Sequence, residues 1–360
     1  MADVAAESGR SDAVWSEQGT TPDAIEAALR ALLVEVHAAN DDFLPARVLN
    51  MIAFVDREWS GEIANRLRGV GRYHASRLVV LSYEPHRERL DARVMIASEG
   101  ASAPGELALL HETVVVELGD RHLDDLLTIA DPLVVTDLPT LLWSPHGHNE
   151  IVSQLLALSQ AVLLDSVEEP DAREALDRAC ELSEQAYVVD LAWLRSTPWR
   201  ERVAATFDPL WLRRELGTIS GVTVRHHPAS TVAAMLLVGW LASRLGWQTG
   251  SLIADGDALV ASTDAGGHHV AVRLEIAPEL HVPGLEGVAL ETDSGLHLSL
   301  GRGSGGLRAR RRDSHGEQRE WTLLGASRGE TGVLGEGIRQ ALLRDPTYVP
   351  ALKAARAMLP

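Results

Sequence analysis

The sequence predicts an α/β fold, a mainly parallel sheet covered by helices and followed by an antiparallel, β-rich C-terminal part. Three observations predict it. Between Leu123 and Leu245 apolar runs of strand length alternate with helical periodicity, the pattern of a sheet buried on both faces. After Gly250 the runs shorten and glycine-rich turns separate them, as in antiparallel hairpins. Hydrophobic residues make up 46% of a 360-residue chain, enough for a core of that size. Length and the change of rhythm suggest an N-terminal α/β domain over 20–165 and a C-terminal α/β domain over 166–360. The second carries hairpins at about 251–325 and then terminal helices.

In order, residues 1–19 are small, polar and acidic, which predicts a disordered tail. Thr21-Pro22-Asp23 opens a helix with Ile25, Leu29, Leu32 and Val36 on one stripe. Val48 to Val55, Arg77 to Tyr83, Ala92 to Ala97 and Thr113 to Leu118 read as strands, with a turn at Glu84-Pro85-His86. Helices at Leu123 to Ala130, Ile151 to Ser159 and Asp171 to Ser183 alternate with strands at Thr140 to Trp143, Ala161 to Leu164 and Tyr187 to Val189. Helices Pro198 to Phe207 and Leu210 to Leu216, strand Val222 to Arg225 and an apolar helix ending at Leu245 follow. Seven short strands between Ser251 and Leu323 complete the β-rich part, and helices at Val333 to Leu343 and near Ala351 to Met358 close the chain.

The formal charge of -18 excludes sequence-independent nucleic-acid binding and disfavours anionic membranes, because both need an excess of Lys and Arg. The single cysteine, Cys180, leaves no intramolecular disulfide and no cysteine-rich metal site, which suits a cytoplasmic protein. The N-terminus has acids where a signal peptide carries bases. The apolar stretch Val232 to Ala242 stops at Arg244, short of the ~20 residues that span a bilayer.

Gly301-Arg302-Gly303-Ser304-Gly305-Gly306 has the spacing of a dinucleotide loop, but a strand-like run follows it where a helix must open, so it reads as a hairpin. Arg302, Arg308, Arg310, Arg311, Arg312 and Arg319 gather around that hairpin as a solvated face, or as a contact for an acidic partner. The pairs His146/His148, His226/His227 and His268/His269 lack accompanying ligands at metal spacing. The Ser144 to His148 loop lies between a strand and a helix start, where backbone amides can hold an anion such as a sugar phosphate. Asp137, Asp165 and Asp190 stand near strand ends, as catalytic carboxylates or as caps. No nucleophile elbow, phosphate loop or zinc-protease helix occurs, and no cofactor is called for. Cys180 falls on the apolar face of its helix, the setting of an inert thiol.

The stretch from Asp190 to Arg200 is the hardest to explain by folding alone. It packs Trp193, Arg195, Trp199 and Arg200 between a strand end and a helix that Thr197 caps and Pro198 opens. Trp and Arg are the residues most enriched in buried protein contacts, although indoles also simply close cores. This segment, continued by Arg202 to Asp208, resembles the signature of the glucose-6-phosphate dehydrogenase assembly protein family, OpcA. Arg47 to Ile52, His74 to Val80, Thr136 to Trp143 and Ala233 to Trp247 agree with it in order and spacing.

The resemblance implies a cytoplasmic, non-enzymatic protein that binds glucose-6-phosphate dehydrogenase and promotes its assembled or active form in the oxidative pentose phosphate pathway. Trp193, Arg195, Thr197, Pro198, Trp199 and Arg200 are then the first candidates for partner binding, and Asp137, Leu138, Pro139 and Trp143 the second. The alternative is an enzyme or binding protein for a phosphorylated sugar or nucleotide, using the strand-end acids and the His146 loop.

Overall fold

The computed structural model describes residues 12–39, 43–44, 47–71, 76–99, 108–324 and 329–360. Residues 1–11 of the expected tail, and His74-Ala75, lie outside them. The chain divides into two compact units, Met1–Leu164 and Asp165–Pro360. Both are α/β.

The first unit holds strands β1 (Asp12–Glu17), β2 (Phe43–Leu44), β3 (Leu49–Asp56), β4 (Ser76–Tyr83), β5 (Asp91–Glu99), β6 (Ala108–Leu118), β7 (Thr140–Trp143) and β8 (Ala161–Leu164). Its helices are α1 (Pro22–Ala39), α2 (Arg57–Gly71), α3 (Leu126–Ala130) and α4 (Asn149–Leu155). The sheet runs β1-β5-β6-β4-β3-β7-β8, with β2 beside β6. From β6 to β8 all pairings are parallel, while β5 and β1 add antiparallel edges. Leu49 to Val55 is buried throughout, as expected of a central strand with helices on both faces. The predicted stripe Ile25, Leu29, Leu32 and Val36 is the buried face of α1.

The first unit departs from the sequence-based expectation in three respects. Residues 12–17 are not tail but an edge strand, paired from Asp12↔Ala97 to Glu17↔Ala92, because one ladder of backbone hydrogen bonds holds a strand with few apolar side chains. Helix α2 has no clear sequence signal: over 57–67 it buries Ile63, Ala64 and Leu67 within a polar segment, too few for a visible period. The expected helices at 123–130 and 151–159 are each part 3-10 turn.

Buried polar groups explain two of the shared stretches. Asn50 Nδ2 donates to Val135 O (2.9 Å) and Thr140 Oγ1 (3.2 Å), and Val135 N donates back to Asn50 Oδ1 (2.9 Å). The loop carrying Asp137, Leu138 and Pro139 is thereby tied to the central strand. Arg77 holds Glu112 (2.7 Å), which Arg47 also contacts, and donates to Leu133 O (3.2 Å).

The second unit begins with α5 (Ala172–Gln185), β9 (Tyr187–Asp190), α6 (Leu191–Arg195), α7 (Thr197–Thr206) and α8 (Leu210–Arg213). Then come β10 (Ile219–His226), α9 (Thr231–Leu245), β11 (Ile253–Asp255), β12 (Ala258–Asp264), β13 (His269–Ile276) and β14 (Leu285–Thr292). Strands β15 (His297–Gly303), β16 (Gly306–Arg312) and β17 (Gln318–Leu324), with α10 (Gly329–Leu343) and α11 (Tyr348–Arg356), complete it. Among the described residues β10 to β17 form an eight-stranded sheet, order β11-β12-β13-β10-β14-β15-β16-β17.

All pairings in that sheet are antiparallel, as expected, except β10 with β13, which α9 makes possible as the crossover a parallel pair needs. The apolar stretch Val232 to Ala242 is the interior of α9. At Gly239 a Cβ would stand 2.2 Å from Ala351 O, so glycine permits α11 to lie against α9. The G-x-G-x-x-G run is a hairpin turn: Gly303 pairs with Gly306 around Ser304-Gly305, and Gly305 has φ +79°.

Candidate functional site

The short junction between β9 and α7 is itself a helix, α6. Asp190 caps α6, its Oδ1 accepting from Ala192 N at 2.9 Å. The cap of α7 is Ser196, not Thr197, and Pro198 occupies the second helical position. Ser196 is turned inward, its Oγ donating to Trp193 O at 2.7 Å.

Asp190 is 1% exposed. Ser166 Oγ donates to its Oδ2 at 2.6 Å and Tyr348 OH at 3.2 Å. Burial raises its carboxyl to about 6 against the opposing pull of the Ser166 bonds. The same burial, with the Asp190 charge, lifts the Tyr348 phenol well above its usual value.

Trp193 is interior, with its indole N–H donating to Asp345 Oδ2 at 2.9 Å. The Arg200 guanidinium lies 3.4 Å over the Trp193 ring. Its N–H groups donate to Ser196 Oγ (3.1 Å), Trp193 O (3.2 Å) and Thr197 Oγ1 (2.9 Å), with Asp345 at 3.9 Å. Burial lowers Arg200 to about 10, which leaves it charged near neutral pH. Arg195 binds Asp165 through two parallel 2.7 Å bonds, a well-shielded bidentate pair.

Each first-choice residue therefore has an internal position. Trp193, Trp199 and Arg200 are buried, while Arg195, Thr197 and Pro198 are half-buried. Of the second group, Trp143 is buried in the strand core, Leu138 is half-buried, and Asp137 and Pro139 are exposed. The hydroxyls that reach the Asp190 carboxylate, those of Ser166 and Tyr348, are themselves buried. The junction's charged groups fix the angle between β9, α6 and α7.

Directly after this frame the surface changes. Leu210 is 80% exposed and Trp211 53%, on a short helix anchored by buried Leu212. Arg311 from β16 stands 5.0 Å from the Trp211 ring, and Arg213 and Arg214 follow it in the chain. The sequence signal for this patch is a tryptophan after Phe207-Asp208-Pro209, followed by two arginines and lacking an amphipathic helix to bury it.

In the first unit β3 lies between β4 and β7, a topological switch point, where open α/β sheets place ligands beyond the carboxyl ends of their strands. Here β3 ends at Asp56 and α2 begins at Arg57, with no glycine-rich turn between them. His148, at φ +56°, places Nε2 3.1 Å from Asp56 Oδ1, and His146 packs on Trp59 with ring centroids 5.4 Å apart. Arg57 is held by Glu84 at 2.7 and 2.8 Å. Tyr83 OH donates to Asp120 at 2.5 Å, and that bond, with burial, raises the phenol to about 12. A cleft of about 450 Å³ is lined by Phe54, Tyr83, Leu123 and His148 to Ile151. Glu150 is the carboxylate in its lining, while Asp56 and Asp120 stand behind it against His148 and Tyr83.

Of the other two histidine pairs, His226, His227 and His268 contact the backbone. His226 is buried, its Nδ1 2.8 Å from His227 O, and burial lowers its pKa. His227 caps a turn through Ala229 N, and His268 Nε2 lies 3.0 Å from Ile219 O. Cys180 is half-buried, and burial raises its thiol. Among the described residues no group of three or more His, Cys, Asp or Glu is arranged to hold a metal.

Two family models match this chain. Residues 68–181 match the N-terminal domain, and residues 186–352 the C-terminal domain, of the family described as the glucose-6-phosphate dehydrogenase subunit. A protein of Synechococcus elongatus, named as a candidate OxPP cycle protein OpcA, is 28% identical over 149 residues, 40% of this chain and 34% of that protein. A namesake from Nostoc punctiforme is 34% identical over 120 residues, 32% of this chain and 26% of its own. The matched parts thus span about a quarter to a third of these relatives. Among solved structures, the WlbA dehydrogenase from Thermus thermophilus aligns over 87% of this chain and 96% of its own, at 16% identity and a TM-score of 0.44, too loose a likeness to carry function. With models covering nearly all of 68–352 and relatives of the same name, the chain belongs to the OpcA family of glucose-6-phosphate dehydrogenase assembly proteins.

Proposed function

We propose that this chain is a cytoplasmic, non-catalytic partner of glucose-6-phosphate dehydrogenase that favours the enzyme's assembled, active form. The observation that carries this reading is the pair of family-domain matches, which together extend from residue 68 to residue 352. The junction supports it. Trp193, Arg195 and Arg200 are committed to each other or to Asp165 and Asp345, and Asp190 to Ser166, Tyr348 and the start of α6, as in a rigid frame that holds a neighbouring surface. The contact is then made by what the frame presents, Leu210 and Trp211 with their arginine neighbours, tryptophan and arginine being residue types that dominate binding energy.

An activator of this kind binds the active form of the enzyme more tightly than the inactive one, since equal affinity shifts no equilibrium. The alternative, an enzyme or binding protein for phosphorylated sugars or nucleotides, gains no support from the switch-point cleft, whose lining carries Glu150 and no lysine or arginine.

The test mixes this chain with the dehydrogenase from the same cell and follows co-elution, alongside turnover of glucose 6-phosphate by each protein alone. A stable complex, with no turnover by this chain, is the expected result. Absence of a complex, or turnover by this chain alone, overturns the proposal.

A further inference from the structure

The β10 to β17 sheet has two unlike faces. Val222, Val224, Val272, Leu274, Leu298 and Leu300 point toward the helices and are buried. The opposite face is open, and registers align its residues in rows. One row runs Arg273, Thr223, Ala289, Ser299, Arg310 and Glu320, from β13 across β10, β14, β15 and β16 to β17.

Side-chain size and charge along these rows are ordered. Gly221, Thr223, Gly287, Ala289, Ser299 and Gly301 form a low central floor, bounded at one end by Glu291 and His297 on the same face. On one side Asp255, Glu275, Glu279 and Glu286 outnumber Arg225 and Arg273, leaving an acidic wall. On the other side Arg308, Arg310 and Arg312 outnumber Glu320, leaving a basic wall. All of these groups keep substantial exposure, so their present ion pairs are free to exchange partners.

We infer that this face is self-complementary and is the surface on which two copies of this chain associate. Face-to-face packing about a two-fold axis parallel to the strands carries the basic wall of one copy over the acidic wall of the other, twice. A two-fold axis across the strands would set like walls against each other, so charge selects the first arrangement. The floor of small residues lets the two sheets approach.

The area is also sufficient. Eight strands spaced by about 4.8 Å, with about seven residues each at ~3.3 Å, give a face of roughly 800 Å². Stable interfaces bury about 800 Å² per partner. This inference does not rest on the dehydrogenase being the partner.

The experiment uses the full chain in sedimentation equilibrium over a range of concentration and salt. The expected result is a dimer at micromolar concentration that weakens as salt rises. The Asp255→Arg/Glu275→Arg chain and the Arg308→Glu/Arg310→Glu chain should each associate about tenfold more weakly or worse. Mixing the two variants should restore the dimer, because one wall contact is then reversed on both sides and the other is native. That rescue separates lost contact from lost folding. A wild type that stays monomeric, variants that associate as the wild type does, or a mixture without rescue would overturn the inference. Monomers whose walls are required for binding the dehydrogenase would likewise overturn it.

Discussion

Two tryptophan–arginine pairs in the second unit have similar composition and opposite surroundings. Trp193 and Arg200 are stacked at 3.4 Å, both buried, with the indole N–H and most of the guanidinium donors given an internal partner. Trp211 and Arg311 stand 5.0 Å apart, with the indole half in solvent. The first pair stabilises the fold. The second has apolar surface left to bury against something else. Residue types that mark binding hot spots therefore serve architecture in one place and remain available for recognition in the other.

The sharpest way to break this comparison is to remove Trp193. Trp193→Ala leaves a cavity, removes the ring beneath the Arg200 guanidinium and takes one hydrogen bond from the Asp345 carboxylate, so unfolding free energy should fall by about 3–5 kcal/mol. Denaturant unfolding measures this. A loss below about 1 kcal/mol would mean that the junction is not the frame described.

A smaller effect comes from pH. The folded pKa of Asp190, about 6, lies above its ordinary value of 3.8. The stabilising contribution of this group is therefore full below pH ~4 and is lost as pH rises through ~6, a change of up to about 3 kcal/mol. Melting temperatures of the wild type and of Asp190→Asn, compared across this window, should show the wild type losing ground as pH rises. Parallel curves would place the Asp190 pKa near its ordinary value.

The smallest stability effect belongs to the exposed pair. Trp211→Ala should change unfolding free energy by no more than about 0.5 kcal/mol, because little packing is lost. A loss comparable to that of Trp193→Ala would erase the distinction between the two pairs.

Much of the fold is legible in the sequence. Continuous apolar runs such as Met51 to Val55 locate central strands, and glycine-rich turns locate the hairpins. What is not legible depends on partners distant in the chain. Asp12–Glu17 is a strand because β5 supplies its hydrogen bonds, and β10 runs parallel to β13 because α9 intervenes. At the site, the sequence singles out the residue types at the junction but not their burial. The Asp190 cap opens a short helix, α6, between the strand end and α7, and that helix carries Trp193 inward. Trp211 lacks such a cap and a long helix, so it stays outside.

The most direct test is the dehydrogenase rate as a function of glucose 6-phosphate concentration, measured with no addition, with the wild-type chain and with Trp211→Ala. The account predicts that the wild type raises the rate or the apparent affinity, and that the equally stable Trp211→Ala chain loses most of that effect. An unchanged rate with the wild type would contradict the activator reading. Full activation by Trp211→Ala would contradict the claim that the frame exists to present that surface.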